Sequence, residues 1–237
     1  MKKQLTGIIG MGIILGGIIA GCNGCKGKNT SGKGGEDDTT GIDRSERHDT
    51  LVTQPPADSL NTFVITPANK DSVLSATTKE VLTLFKNKEY EKLDSFIHPE
   101  EGIRFSPYGT VDPKDDKKFS REEFKGLITT DRNKKIEWGS YDGSGNPILL
   151  TPAEYFGRFV YDGNFLKPQK AGVNIRFGKG NSINNLKTVY PGSEFTENYL
   201  DGTKKNGGID WRSVRLVYKL KNGRYYLVGI IHDQWTI

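Results

Sequence analysis

Near the C-terminus, two alternating runs, 212–220 and 224–232, flank Lys221-Asn222-Gly223-Arg224. Asn-Gly at the centre of a two-residue turn favours type I′ geometry, which needs positive φ at both positions. A hairpin this long obliges the rest of the domain to supply further strands and a cover for the apolar face. In the regular register Leu220 lies opposite Tyr225, Tyr218 opposite Leu227, Leu216 opposite Gly229 and Val214 opposite Ile231. The other face then carries Ser213, Arg215, Val217 and Lys219 opposite His232, Ile230, Val228 and Tyr226. A one-residue slip would exchange the two faces. The same register sets Arg212 opposite Asp233 on the apolar side. That pair reads either as a partly buried ion pair closing the sheet end or as a polar group at a pocket mouth.

Upstream, Thr77 with Glu80, Ser120 with Glu123 and Thr151 with Glu154 fit the capping box, in which hydroxyl and carboxylate reciprocally satisfy two helix-start amides. The helices they predict present Val81, Leu82 and Phe85; Phe124, Leu127 and Ile128; and Tyr155, Phe156, Phe159 and Val160. A short helix with Tyr90, Leu93, Phe96 and Ile97 is expected to stop before Pro99. Further strands are expected at 103–108, 136–141, 173–177 and 194–200, and Phe63-Val64-Ile65 reads as a short strand or a docking segment. The fold class is α+β, with N-terminal helices packed on a curved antiparallel sheet that ends in the hairpin. This order resembles the NTF2-like and cystatin-like cone folds, whose architecture serves enzymes and binding modules alike.

The N-terminus constrains location. Lys2 and Lys3 precede an apolar run from Ile8 to Ala20, shorter than the about 20 residues of a membrane span. Small residues follow, in the plan of a secretory signal. Ile19-Ala20-Gly21-Cys22 resembles a bacterial lipobox, which implies cleavage before Cys22 and its diacylation. The expected organisation is a signal peptide over 1–21, a lipidated cysteine and tether over 22–70, and one domain over 71–237. The tether is rich in Gly, Ser, Thr, Lys and Asp and cannot bury enough apolar surface to offset its ordering entropy. With Cys22 acylated, Cys25 is left without an intrachain partner.

The whole chain carries +5; losing Lys2 and Lys3 lowers this to about +3. The residual charge is mild and lacks a basic stripe with interleaved aromatics, so nucleic acid is not an expected partner. The stretches IHPEEGIRFSPY (97–108), WGSYDGSGNP (138–147), TPAEYFGRFVYD (151–162), DWRSVRLVY (210–218) and LVGIIHDQWTI (227–237) are similar to a domain of uncharacterised, chiefly Gram-positive, bacterial lipoproteins. The resemblance implies an extracytoplasmic, membrane-anchored protein and supplies little mechanism.

Candidate chemistry is sparse. His98 beside Glu100 and Glu101 reads as a base or ligand, or as a helix-end histidine meeting the last carbonyls. Asp142-Gly143-Ser144-Gly145-Asn146 opens like a calcium loop. Pro147 and Ala153, however, occupy the positions that need the turning glycine and the bidentate glutamate. Gly178-Lys179-Gly180-Asn181 and the charged segment 112–118 read as a turn and a solvated loop. The expected function is a non-catalytic envelope module that binds a small ligand, a wall fragment or another envelope protein, with no cofactor or metal. The alternative is an NTF2-like enzyme using His98, His232 and Asp233 as acid–base groups.

Cys22→Ala is expected to move the protein from the membrane fraction to a soluble or uncleaved form, since stable anchoring rests on the diacyl group. Fractionation after a carbonate wash checks this; a cleaved mutant that stays on the membrane would refute the lipobox.

Overall fold

The computed structural model describes residues 64–178 and 180–236. The signal peptide, Cys22, Cys25 and Phe63 lie outside them, as does most of the tether. The hairpin dominates what is described. Strands β7 (Arg212–Lys221) and β8 (Arg224–Gln234) are joined at Asn222 and Gly223, with φ of 49° and 72°. Both values lie in the left-handed region that a type I′ turn requires.

Around it stands a curved six-stranded sheet of order β2-β1-β8-β7-β6-β5, with β1 at Ile103–Ser106, β2 at Lys118–Phe119, β5 at Lys170–Val173 and β6 at Glu194–Leu200. All pairs are antiparallel except β1 with β8, which run parallel. Strand β1 stops at Ser106 and does not run to 108 as expected; Pro107 has no amide to continue the ladder. The strand expected at 173–177 lies at 170–173. The chain turns off the sheet at Asn174, whose φ is 57°. A separate hairpin joins β3 (Ile136–Ser140) to β4 (Pro147–Leu150).

Helix α1 (Lys70–Asn87), a 3-10 turn (Tyr90–Phe96), α2 (Arg121–Thr129) and α3 (Pro152–Phe159) join the sheet in the main core. The capping boxes at Ser120 and Thr151 are complete, each with both reciprocal hydrogen bonds. Thr77 caps nothing. It lies inside α1 and donates its hydroxyl to Val73 O, because the helix begins seven positions earlier at Lys70. The core centres on aromatic rings: Trp138 stacks on Tyr155 at 4.0 Å, and Phe105 meets both edge-on at 5.7 and 6.0 Å. Ile65 packs on its margin.

The sheet's second face is buried too. Val111, Leu186, Tyr190, Phe195, Val217, Val228 and Ile231 form a smaller core beneath 107–117 and a segment that includes α4 (Leu186–Val189).

The hairpin register departs from the regular one at a single point. Tyr218 pairs with Leu227 as expected, but Val217 pairs with Gly229, leaving Val228 as an extra residue. This is a β-bulge, and beyond it every β8 side chain changes face. Ile230 and His232 join the helix side opposite Leu216 and Val214, while Ile231 and Asp233 join the second face opposite Arg215 and Ser213. Arg212 therefore lies opposite Gln234 and not Asp233. Gly229 is the residue at the bulge because Tyr190 lies across it: a Cβ there would sit 2.7 Å from the Tyr190 hydroxyl.

Gly229→Val is expected to destabilise the domain by about 1–3 kcal/mol through overpacking. Tyr190→Phe should recover part of that loss by removing the nearest atom, as read by denaturant melts of the single and double variants.

Candidate functional site

The sequence-predicted site residues occupy separate places. His98 is buried at the end of the 3-10 turn, where its amide donates to Leu227 O at 2.9 Å. Its Nδ1 accepts from the amides of Glu100 and Glu101 at 3.2 and 3.0 Å, and burial lowers its pKa. The two glutamates turn away to Lys221 and Lys219 of β7. His98 thus organises a turn, and among the described residues no carboxylate pairs with its ring within salt-bridge distance. His232 lies five residues along β8 from Leu227, roughly 16 Å away at about 3.3 Å per strand residue. It is fully buried on the helix face against Phe159, with Nε2 3.3 Å from Asp162 Oδ1 and Nδ1 3.3 Å from Pro107 O.

Arg212 shares that cluster. Its Nη1 donates to Asp162 Oδ2 and to Asp162 O, both at 3.0 Å. Burial acts to raise the Asp162 carboxyl, but His232 and Arg212 outweigh it and hold the pKa below the usual range. Asp233 faces the other way. It pairs with Arg215 and receives Ser182 Oγ–H at 3.2 Å, with Arg176 at 3.9 Å. Arg215 also faces Glu197, which accepts from the amides of Phe177 and Gly178 at 2.8 and 3.0 Å. Burial raises the Asp233 pKa despite both arginines. His232 and Asp233 are thus divided by the sheet, and one substrate could not meet both. The expected Arg212–Asp233 pair is replaced by Arg212–Asp162 on one face and Arg215–Asp233 on the other. The bulge that causes the exchange has no signature in the alternation, because both registers pair apolar residues.

The buried carboxylates also place the segment 174–185, which the sequence read as a strand to 177 followed by a turn. Asn174 clamps one end of residues 174–185 to Phe195, and Asn185 clamps the other to Val111 through its amide and carbonyl. Glu197 and Asp233 fasten the middle. Gly178 and Gly180, read from sequence as part of a bare turn, lie flat on Trp211, where added Cβ atoms would meet the indole at 2.8 and 3.0 Å. Lys179 between them lies outside the described residues.

This strap forms one wall of a cleft of about 470 Å³. Asn181, Ser182 and Ile183 line it from the strap. Pro107, Tyr108, Thr110, Asp112, Asp115 and Asp116 line it from the loop after β1, and Ser140, Tyr141 and Asp142 from the β3–β4 hairpin. The charged loop 112–118, read from sequence as solvated, and the calcium-like loop at Asp142 converge here. Ser140 Oγ donates to Asp115 Oδ2 at 3.1 Å and joins them. Among the described residues four aspartates line the cleft and no lysine or arginine does. No group of three or more His, Cys, Asp or Glu side chains among the described residues could hold a metal ion. A second groove of about 420 Å³ between the 3-10 turn, α2 and α3 mixes Lys88, Lys92 and Arg132 with Glu89 and Glu91 and has no dominant sign.

Asp233→Ala is expected to cost about 3–5 kcal/mol, the loss that follows when a buried ion is left without its partner. It should couple to Arg215→Met and be additive with Arg212→Ala to within about 0.5 kcal/mol, since Arg212 and Asp233 share no partner. Denaturant melts of the two double-mutant cycles check both statements.

No protein-family model matches the chain, and no curated protein shows significant similarity to it.

Proposed function

We propose that the protein is a lipid-anchored, extracytoplasmic binding module that holds a small polar ligand or wall fragment in the cleft between the strap and the two aspartate loops. The observation that carries this reading is the cleft: hydroxyls, an amide, tyrosine rings and carboxylates are gathered there from four separate segments, Thr236 after β8 being the fourth. A concave site with a few convergent polar groups is the usual form of a small-ligand site. The acid–base alternative has no comparable support, because His98, His232 and Asp233 point to three different surroundings. The lipobox resemblance at Cys22 supports the anchoring, and the mild positive charge of the mature chain suits an anionic surface.

Soluble wall fragments released by muramidase are expected to shift the ring resonances of ¹³C-labelled Tyr108 and Tyr141 in the mature chain. Tyr141→Ala should weaken the interaction about tenfold, in keeping with the loss of one stacking contact. An unchanged spectrum would remove the cleft as the binding site.

A further inference from the structure

One carboxyl in the cleft is built differently from the rest. Asp112, Asp115 and Asp142 are exposed and occupied locally. Asp112 Oδ1 accepts from the amides of Lys114 and Asp115, Asp115 Oδ2 from Ser140 Oγ, and Asp142 Oδ1 from the Gly143 amide. Asp116 is 8% exposed. Its Oδ2 takes Ser106 Oγ–H and the Asp112 amide. Its Oδ1 accepts from no donor among the described residues, yet it is not sealed from solvent, so it is the oxygen left to the cleft. The cation nearest in effect, Arg104, donates its Nη1 to the carbonyls of Pro113 and Asp116 and makes no bond to the carboxylate. Asp116 is thus a largely buried carboxylate whose second oxygen, unused by the described residues, is left as an acceptor at the cleft.

We propose that Asp116 is the recognition residue of this cleft and that the ligand is a small organic ammonium carrying hydroxyl groups, its N–H⁺ donating to Asp116 Oδ1. The inference rests on the reading of the cleft as a ligand site. One buried carboxylate offers a single strong, charge-assisted bond, which suits an ammonium better than a metal needing several ligands at once. The exposed aspartates attract the cation, the rings of Tyr108 and Tyr141 can flank it, and the oxygens of Thr110, Ser182 and Asn181, which donate to Ile183 O, Asp233 and Thr236 O, can accept from its hydroxyls.

Burial pushes the Asp116 carboxyl up to about 6 against the pull of Ser106, the Asp112 amide and Arg104. Asp112 on its own loop and Tyr155 and Tyr190 from the helical segments are the other titratable groups that feel it. An ammonium needs the ionised form, so affinity should fall as pH drops from 7 through about 6.

The test uses the mature chain in detergent, tyrosine-labelled, with glucosamine, N-acetylglucosamine and glucose as probes. Glucosamine is expected to bind at least about tenfold more tightly than the two neutral sugars, and Asp116→Asn should abolish that preference. The variant keeps an acceptor for Ser106 and Asp112 and loses a buried charge. It should therefore melt no lower than wild type at pH 7, and any advantage should shrink as pH falls from about 6 towards 4, where wild type gains stability by taking up the proton. Equal binding of all three sugars, or unweakened glucosamine binding by a folded Asp116→Asn protein, overturns the inference and leaves the cleft a ligand site. Failure of all three sugars to move Tyr108 or Tyr141, while wall fragments do, overturns it as well.

Discussion

The fully buried guanidinium of Arg215 is the constraint around which the domain's second face is arranged. A charge in the middle of a sheet covered on both sides must be met by carboxylates, or it would cost several kcal/mol. Glu197 from β6 and Asp233 from β8 meet it, and each has capacity left for another element. Glu197 uses that capacity on the amides of Phe177 and Gly178; Asp233 uses it on Ser182 and Arg176. One buried cation thus fixes the strap, and the strap gives the cleft its third wall.

The bulge at Val228 makes this possible. Without it, Asp233 would face the helices and His232 the strap, and Arg215 would stand opposite Ile230 with no second carboxylate. A single inserted residue therefore decides which ionisable groups share a dielectric environment. It also separates the two polar centres of the sheet, Asp162–His232–Arg212 on the helix side and Glu197–Arg215–Asp233 on the other.

Local chemistry with a short range was legible in the sequence. The Asn222-Gly223 turn, the capping boxes at Ser120 and Thr151, and the apolar faces of the helices are decided by residues within a few positions of one another, and they stand as expected. Thr77 shows the limit of that reasoning. Its pattern is complete, but Asp71 and Leu74 already lie in a helix, so the motif has no free amides to cap. The register shift at Val228 sets Gly229 against Tyr190, which is far away in sequence, and no pattern within β8 reports it. The cleft was illegible for the same reason. Its loops are ordinary alone, and only the fold brings Asp116, Tyr141 and Ser182 to one place.

The parallel pairing of β1 with β8 has a consequence for the order in which the molecule can be assembled. The last strand among the described residues is an interior strand, lying between β1 and β7. Until Gln234 has been delivered, the early half of the domain has only the two-residue β2 as a partner for β1, and the hairpin that organises the sheet does not exist. The β1–β8 pairing is itself a contact of high sequence separation, the kind that is slow to form. A chain built this way leaves β1 without its principal partner until β8 has been made.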